Sequence, residues 1–93
     1  MQTTGLGDNT CRWVNNDGRK EGAKYIALEH AADNGCTVPA DVPTRQQGDF
    51  LCYDFEGCDP GYPTKACTFD GGHESVGSRP WIADEAWKFF MQF

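Results

Sequence analysis

Apolar residues along this chain fall into four short groups separated by polar, glycine-rich or proline-rich stretches. Residues 1–18 show no periodicity: Gly5, Gly7, Asp8, Asn9, Asn15, Asn16, Asp17 and Gly18 make this segment read as loop. Over residues 19–32 the spacing changes, with Ala23, Ile26, Ala27 and His30 at i, i+3, i+4 and i+7. This spacing predicts an amphipathic helix with those four residues on its buried face, Asp17 as N-cap and Asn34-Gly35 as stop. Phe50-Leu51-Cys52-Tyr53-Asp54-Phe55 and Thr64-Lys65-Ala66-Cys67-Thr68-Phe69 are β-prone runs on either side of a Gly/Pro-rich turn, the pattern of an antiparallel hairpin. Cys52 and Cys67 lie equally far from the turn centre and so face each other. Residues 80–93 carry Ile82, Ala86, Phe89, Phe90 and Phe93 at helical spacing, which predicts a second helix with Asp84 and Glu85 in its first turn, against the positive end of the helix dipole.

The aromatic content of that last helix changes the picture. Trp81, Trp87, Phe89, Phe90 and Phe93, at about 150–250 Å² per ring, offer more apolar surface than one hairpin and one helix can cover. A larger sheet is therefore expected beneath it.

The chain has 93 residues, enough for one domain at most, with 11 Gly and 5 Pro thinning its core. Five cysteines are the natural staples, and an odd number leaves at least one without a partner in the chain. That cysteine content points to an oxidising compartment, although Met1 is followed by Gln-Thr-Thr-Gly and not by a signal peptide. A truncated start is the expected explanation. The net charge of −6, with no Lys/Arg cluster, argues against nucleic acid as a partner, and no apolar run approaches the ~20 residues of a membrane span.

Candidate chemistry centres on Phe69-Asp70-Gly71-Gly72-His73, where two glycines at the end of a strand lift a histidine clear of the sheet. The plainer reading is an exposed loop histidine. A histidine base needs an orienting carboxylate, for which Asp8, in a Gly-rich loop ahead of the first helix, is the candidate. Asp17 is its competitor, and an Asx-turn is the plainer role for Asp8. No Gly-x-Ser-x-Gly motif is present, and Ser75 and Ser78 both follow the histidine. A disulfide between Cys52 and Cys67 would remove Cys67 as a nucleophile and, by closing a loop of about 15 residues, contribute roughly 3 kcal/mol. The cysteine spacing lacks a zinc-type pair, and Asp54, Glu56 and Asp59 lack the register of a calcium loop, so no metal or other cofactor is expected.

Taken together, Asn34-Gly35-Cys36, Cys52-Tyr53-x₄-Cys58, Gly61-Tyr62-Pro63-x₃-Cys67-Thr68-Phe69-Asp70-Gly71-Gly72-His73 and Trp81-Ile82-x₄-Trp87-Lys88-Phe89-Phe90-x-Gln92-Phe93 resemble the C-terminal part of secreted fungal feruloyl esterases. These belong to carbohydrate esterase family 1, akin to polyhydroxybutyrate-depolymerase-like esterases. The resemblance runs from about Asp8 to the end, and Cys-Thr-Phe-Asp-Gly-Gly-His with the Trp-x-Phe-Phe ending is its most specific part.

It implies an α/β fold in which residues 1–93 are the C-terminal portion of one α/β-hydrolase domain: a helix, a hairpin holding the last core strand, and a C-terminal helix. The nucleophile half would lie upstream. His73 would be the base and Asp8 the acid, although Gly-Leu-Gly-Asp departs from the family's usual His-Gly-Thr-x-Asp. The resemblance also implies disulfides Cys36–Cys58 and Cys52–Cys67, leaving Cys11 for a cysteine upstream, and Trp81 as either pocket wall or core. The implied setting is extracellular, and the implied substrate is an ester on plant cell-wall polysaccharide: feruloyl, acetyl-xylan or polyester. A small disulfide-stapled secreted binding module is the reading in a different class.

Overall fold

A computed structural model describes residues 1–15, 20–45, 50–72 and 79–92. It contains β1 (Gln2–Gly5), α1 (Ala23–Asp33), β2 (Phe50–Asp54), β3 (Lys65–Phe69) and α2 (Pro80–Phe90). The three strands form one mixed sheet in the order β1-β3-β2, with β1 parallel and β2 antiparallel to β3.

Strand β1 corrects the expectation of loop over residues 1–18. Four residues are too few to display alternation, and the strand exists because its backbone pairs with β3, from Gln2 opposite Ala66 to Gly5 opposite Phe69. Central strand β3 is buried from Ala66 to Phe69, as a strand covered on both faces must be. Ala66 packs into the cluster under α1, whereas Phe69 meets Trp81 of α2. The two helices therefore cover opposite faces of the sheet, following the side-chain alternation along β3.

Helix α1 begins later than the periodicity predicted, at Ala23. Its cap is Gly22, with φ 122°, where a Cβ would sit 2.6 Å from the Trp13 carbonyl oxygen. Among the described residues no side chain caps the helix; Ala23 N donates to Arg12 O at 2.9 Å and Lys24 N to Trp13 O at 3.0 Å, so neighbouring backbone satisfies these first-turn donors. Asp17, the expected cap, lies outside the described residues. At the other end, Cys36 N donates to Ala31 O and Gly35 N to Ala32 O, with Gly35 at φ 74°, which is a Schellman stop at the expected Asn34-Gly35.

The buried stripe of α1 is Ala27 and Ala31 with Leu28 beside it, one position on from the expected set; Ile26 is 49% exposed and His30 is exposed. Two alanines let the helix axis approach Val42, Phe55 and Ala66 closely, and this rotates the bulkier Ile26 outward.

The hairpin has the expected register, Cys52 opposite Cys67, and its tip contains Asp59-Pro60-Gly61-Tyr62 with Tyr62 N bonded to Asp59 O at 3.0 Å and Gly61 at φ 84°. Proline then glycine at the two central positions is the type II turn pattern. Both expected disulfides, Cys36–Cys58 and Cys52–Cys67, are formed, and Cys11 is free and exposed.

Helix α2 starts with Pro80 at its first position, so Asp84 and Glu85 sit one turn further in than expected. Glu85 instead bonds Lys65 of β3 at 3.1 Å. Ile82 and Phe89 are buried, but Trp87 and Phe90 are 68% and 63% exposed. The helix ends at Phe90, and Phe93 lies outside the described residues.

Candidate functional site

Two loops leave the carboxyl ends of the adjacent parallel strands β1 and β3 and run together. Leu6 N donates to Phe69 O at 2.8 Å and Gly7 N to Gly71 O at 2.9 Å. Gly5 makes this approach possible, because a Cβ there would lie 2.4 Å from the carbonyl oxygens of both Gly71 and Gly72. The glycines on either side are thus a matched pair in which backbone packs directly on backbone.

The first of these loops turns back at Gly5–Asp8, where Asp8 N donates to Gly5 O at 3.0 Å. Asp8 is 7% exposed, and its Oδ1 accepts from the Thr10 and Cys11 amides, each at 2.8 Å. This is the Asx-type arrangement that the plainer reading anticipated, and it also fixes the carboxylate. Asp8 lines a cavity of about 150 Å³ whose wall includes Thr4, Cys11, Phe69 and Gly72.

Gly72 is the residue directly before His73. His73 itself lies outside the described residues, as do Ser75, Ser78 and the competing acid Asp17. The described half of the candidate pair is therefore Asp8, on a cavity that reaches the attachment point of the other half.

Three neighbours of this site escaped the sequence reading. Arg79 holds the β3 exit, with its guanidinium 4.8 Å from the Phe69 ring centroid and one N–H on Asp70 O at 3.2 Å. Arg45 approaches the Asp70 carboxylate at 3.8 Å while its backbone amide bonds Thr68 Oγ1 at 2.9 Å. An arginine immediately before the helix-starting proline was the available signal for Arg79; nothing local marked Arg45. Cys11, read only as a leftover, shares the cavity with Asp8 and supplies one of its amides.

Trp81 is a packing residue. Its ring stacks on Phe50 at 4.2 Å and meets Phe69 edge-on at 5.5 Å, and its buried Nε1 has no hydrogen-bond partner among the described residues. Beside β1, whose second edge pairs with no strand among the described residues, Met1, Thr3, Ile82, Ala86 and Phe90 line an apolar cavity of about 180 Å³. Among the described residues no group of three or more His, Cys, Asp or Glu side chains could hold a metal ion, and no helix is long and apolar enough to cross a membrane. No protein-family model and no curated protein significantly matches this chain.

Proposed function

We propose that this chain is the C-terminal portion of a secreted serine carboxylic-ester hydrolase of the feruloyl esterase type. In this reading His73 is the general base and Asp8 the acid that orients it, while the serine and the oxyanion donors come from an upstream segment of the same enzyme. His73 takes the serine proton as the ester carbonyl is attacked and returns it to the leaving sugar alcohol. Asp8 holds the imidazole tautomer and stabilises the imidazolium. The substrate is a ferulate ester on cell-wall arabinoxylan, with acetyl-xylan and polyester as the neighbouring chemistries, and the reaction needs no cofactor.

The observation that carries this reading is the cavity shared by Asp8 and Gly72 at the carboxyl ends of two adjacent parallel strands. Loops at that end of an α/β sheet are where acid and base residues converge. The second edge of β1, which pairs with no strand among the described residues, and the apolar cavity beside it are compatible with further strands there. Two disulfides fit an extracellular setting.

The test is hydrolysis of methyl ferulate by this chain alone and by the chain expressed with the coding sequence that precedes Met1. Only the longer protein should be active, and Asp8→Asn should lower its kcat about 10⁴-fold, as loss of the orienting carboxylate does in triads. Activity of the isolated chain that survives His73→Ala would sink the assignment. The exposed Trp87, Phe90 and Met91 on a disulfide-stapled frame favour a second reading, a small secreted binding module. A signal peptide encoded directly before Met1 would select it, and an in-frame Gly-x-Ser-x-Gly would select the esterase.

A further inference from the structure

The turn that follows Asp8 carries Asn9-Thr10-Cys11, an asparagine with a hydrogen-bonding S–H group two positions on. We propose that Asn9 is an N-glycosylation site whose acceptor triplet uses the Cys11 thiol where serine or threonine ordinarily supplies a hydroxyl. The inference rests on the extracellular setting of the reading above and not on its ester chemistry, since this modification belongs to secreted proteins.

An Asn-x-Ser/Thr triplet works as an acceptor because it presents a side-chain amide to the glycosyl donor together with a hydroxyl that donates and accepts hydrogen bonds. A thiol does the same more weakly, and only while its sulfur is outside a disulfide. No Asn-x-Ser/Thr triplet occurs in the chain, whereas Asn-x-Cys occurs twice, and the structure separates the two copies. At Asn34-Gly35-Cys36 the sulfur is bonded to Cys58 and the residue is 8% exposed, and the Asn34 amide donates to Thr64 Oγ1 at 2.8 Å. Both groups are already committed. Asn9, Thr10 and Cys11 are all exposed, the thiol is free, and the Asn9 side-chain amide has no hydrogen-bond partner among the described residues.

The turn also tolerates a large substituent at this position. Its backbone is held by Asp8, whose Oδ1 accepts from the Thr10 and Cys11 amides, so the Asn9 side chain is not needed to keep the bend. Cys11 lines the cavity on which Asp8 stands, but Asn9 does not. A glycan on Asn9 therefore hangs outside that cavity and beside the exposed thiol. There it shields a sulfur that would otherwise be open to disulfide formation with other chains in an oxidising compartment. In the transfer, Asn9 Nδ2 bonds to C1 of the first N-acetylglucosamine of a lipid-diphosphate-linked oligosaccharide. The bond from C1 to the phosphate oxygen breaks, the lipid diphosphate leaves with the electron pair, and the amide gives up one proton.

The experiment expresses the full chain in yeast behind a supplied secretion leader and maps its peptides by mass before and after treatment with peptide-N-glycosidase F. A fraction of the chain should carry a glycan on the Asn9 peptide, and its removal should leave aspartate at that position. Asn9→Gln and Cys11→Ala should abolish the modification, Cys11→Ser should raise its occupancy severalfold by restoring the hydroxyl, and Asn34→Gln should leave it unchanged. Secreted and retained chains are mapped alike, so a variant that misfolds still gives an answer. A wild-type chain with Asn9 bare, a glycan on Asn34, or a glycan that survives Cys11→Ala would each overturn the proposal. The longer protein, expressed from its own coding sequence, tests the setting separately. Its retention inside the cell would overturn the extracellular setting and this proposal together, whereas its secretion with Asn9 bare, or with Cys11 bonded to an upstream cysteine in place of the glycan, would overturn the glycosylation alone.

Discussion

The two ends of β3 are held by different physics. From its amino end to its midpoint at Cys67, two disulfides, an αL helix stop and a proline-glycine turn tie α1, β2 and β3 together, and the Lys65–Glu85 ion pair joins the strand to α2. At its carboxyl end there is no covalent tie among the described residues; Gly5 and Gly7 press on Gly71 and Gly72, and Asp8 is fixed by peptide amides. The first arrangement gains stability by restricting the unfolded chain, the second by close backbone approach in the folded one. The candidate acid sits at the second end, where placement of a side chain depends on how well two loops fit.

Breaking the covalent end should have the largest effect. The bridges close separations of 15 and 22 residues, each worth about 3 kcal/mol in the chain-entropy account. Their combined reduction, about 6 kcal/mol, is comparable to the whole stability of a chain this size, so we expect circular dichroism to show unfolding at 37 °C in reductant. A reduced chain that keeps its native melting temperature would show that the core alone suffices. Next comes Gly5→Ala, which drives a methyl to 2.4 Å from two carbonyl oxygens and should cost roughly 2–3 kcal/mol in urea denaturation, with the glycine loops forced apart. Gly61→Ala sharpens the contrast: no atom lies within 4 Å of the added Cβ, so only the strained φ of 84° opposes it, at about 1 kcal/mol. Equal costs at the two glycines would contradict the close-approach account.

The smallest effect concerns the link between α1 and the excursion after it. The Lys24 ammonium, 3.2 Å from Asp41, is raised above its ordinary pKa chiefly by that hydrogen bond, and Asp41 is lowered by Lys24 and by the Val42 amide. A lowered carboxylate contributes stability that is present above its unfolded value of about 3.9 and lost as pH falls through the folded value. A raised ammonium contributes stability that is present below about 10.4 and lost as pH rises through the folded value. Melting temperatures of the native chain and of Lys24→Met should therefore differ slightly and constantly near neutrality and converge at both extremes. Convergence only in acid would place the interaction elsewhere.

The hairpin, its cysteine register and the stop of α1 were legible because each rests on residues adjacent in sequence: a Gly/Pro turn, equal spacing about its centre, and an Asn-Gly pair. The start of α1 was not, since backbone carbonyls of Arg12 and Trp13 replace a side-chain cap and leave no residue-type signal. The helix face was shifted by one position because apolar spacing does not distinguish Ala27 and Ala31, which allow close packing, from Ile26, which does not. Asp8 and the Gly71-Gly72-His73 run were paired as candidates from what a histidine base requires and from the family resemblance, and no local pattern carried that pairing, since more than 60 residues separate them.

By itself, then, the sequence determined the local pieces: where the chain turns, the presence of two helices and a hairpin, and which two cysteines face each other across that hairpin. Only the tertiary structure decided that four unremarkable residues, Gln2–Gly5, are a strand, that α1 and α2 cover opposite faces of the sheet, and that Asp8 stands on the same cavity as Gly72. The physical reason is that turns and caps are set by φ/ψ preferences of neighbouring residues, whereas a short parallel strand has no local stabilisation and forms only when a distant partner supplies its hydrogen bonds.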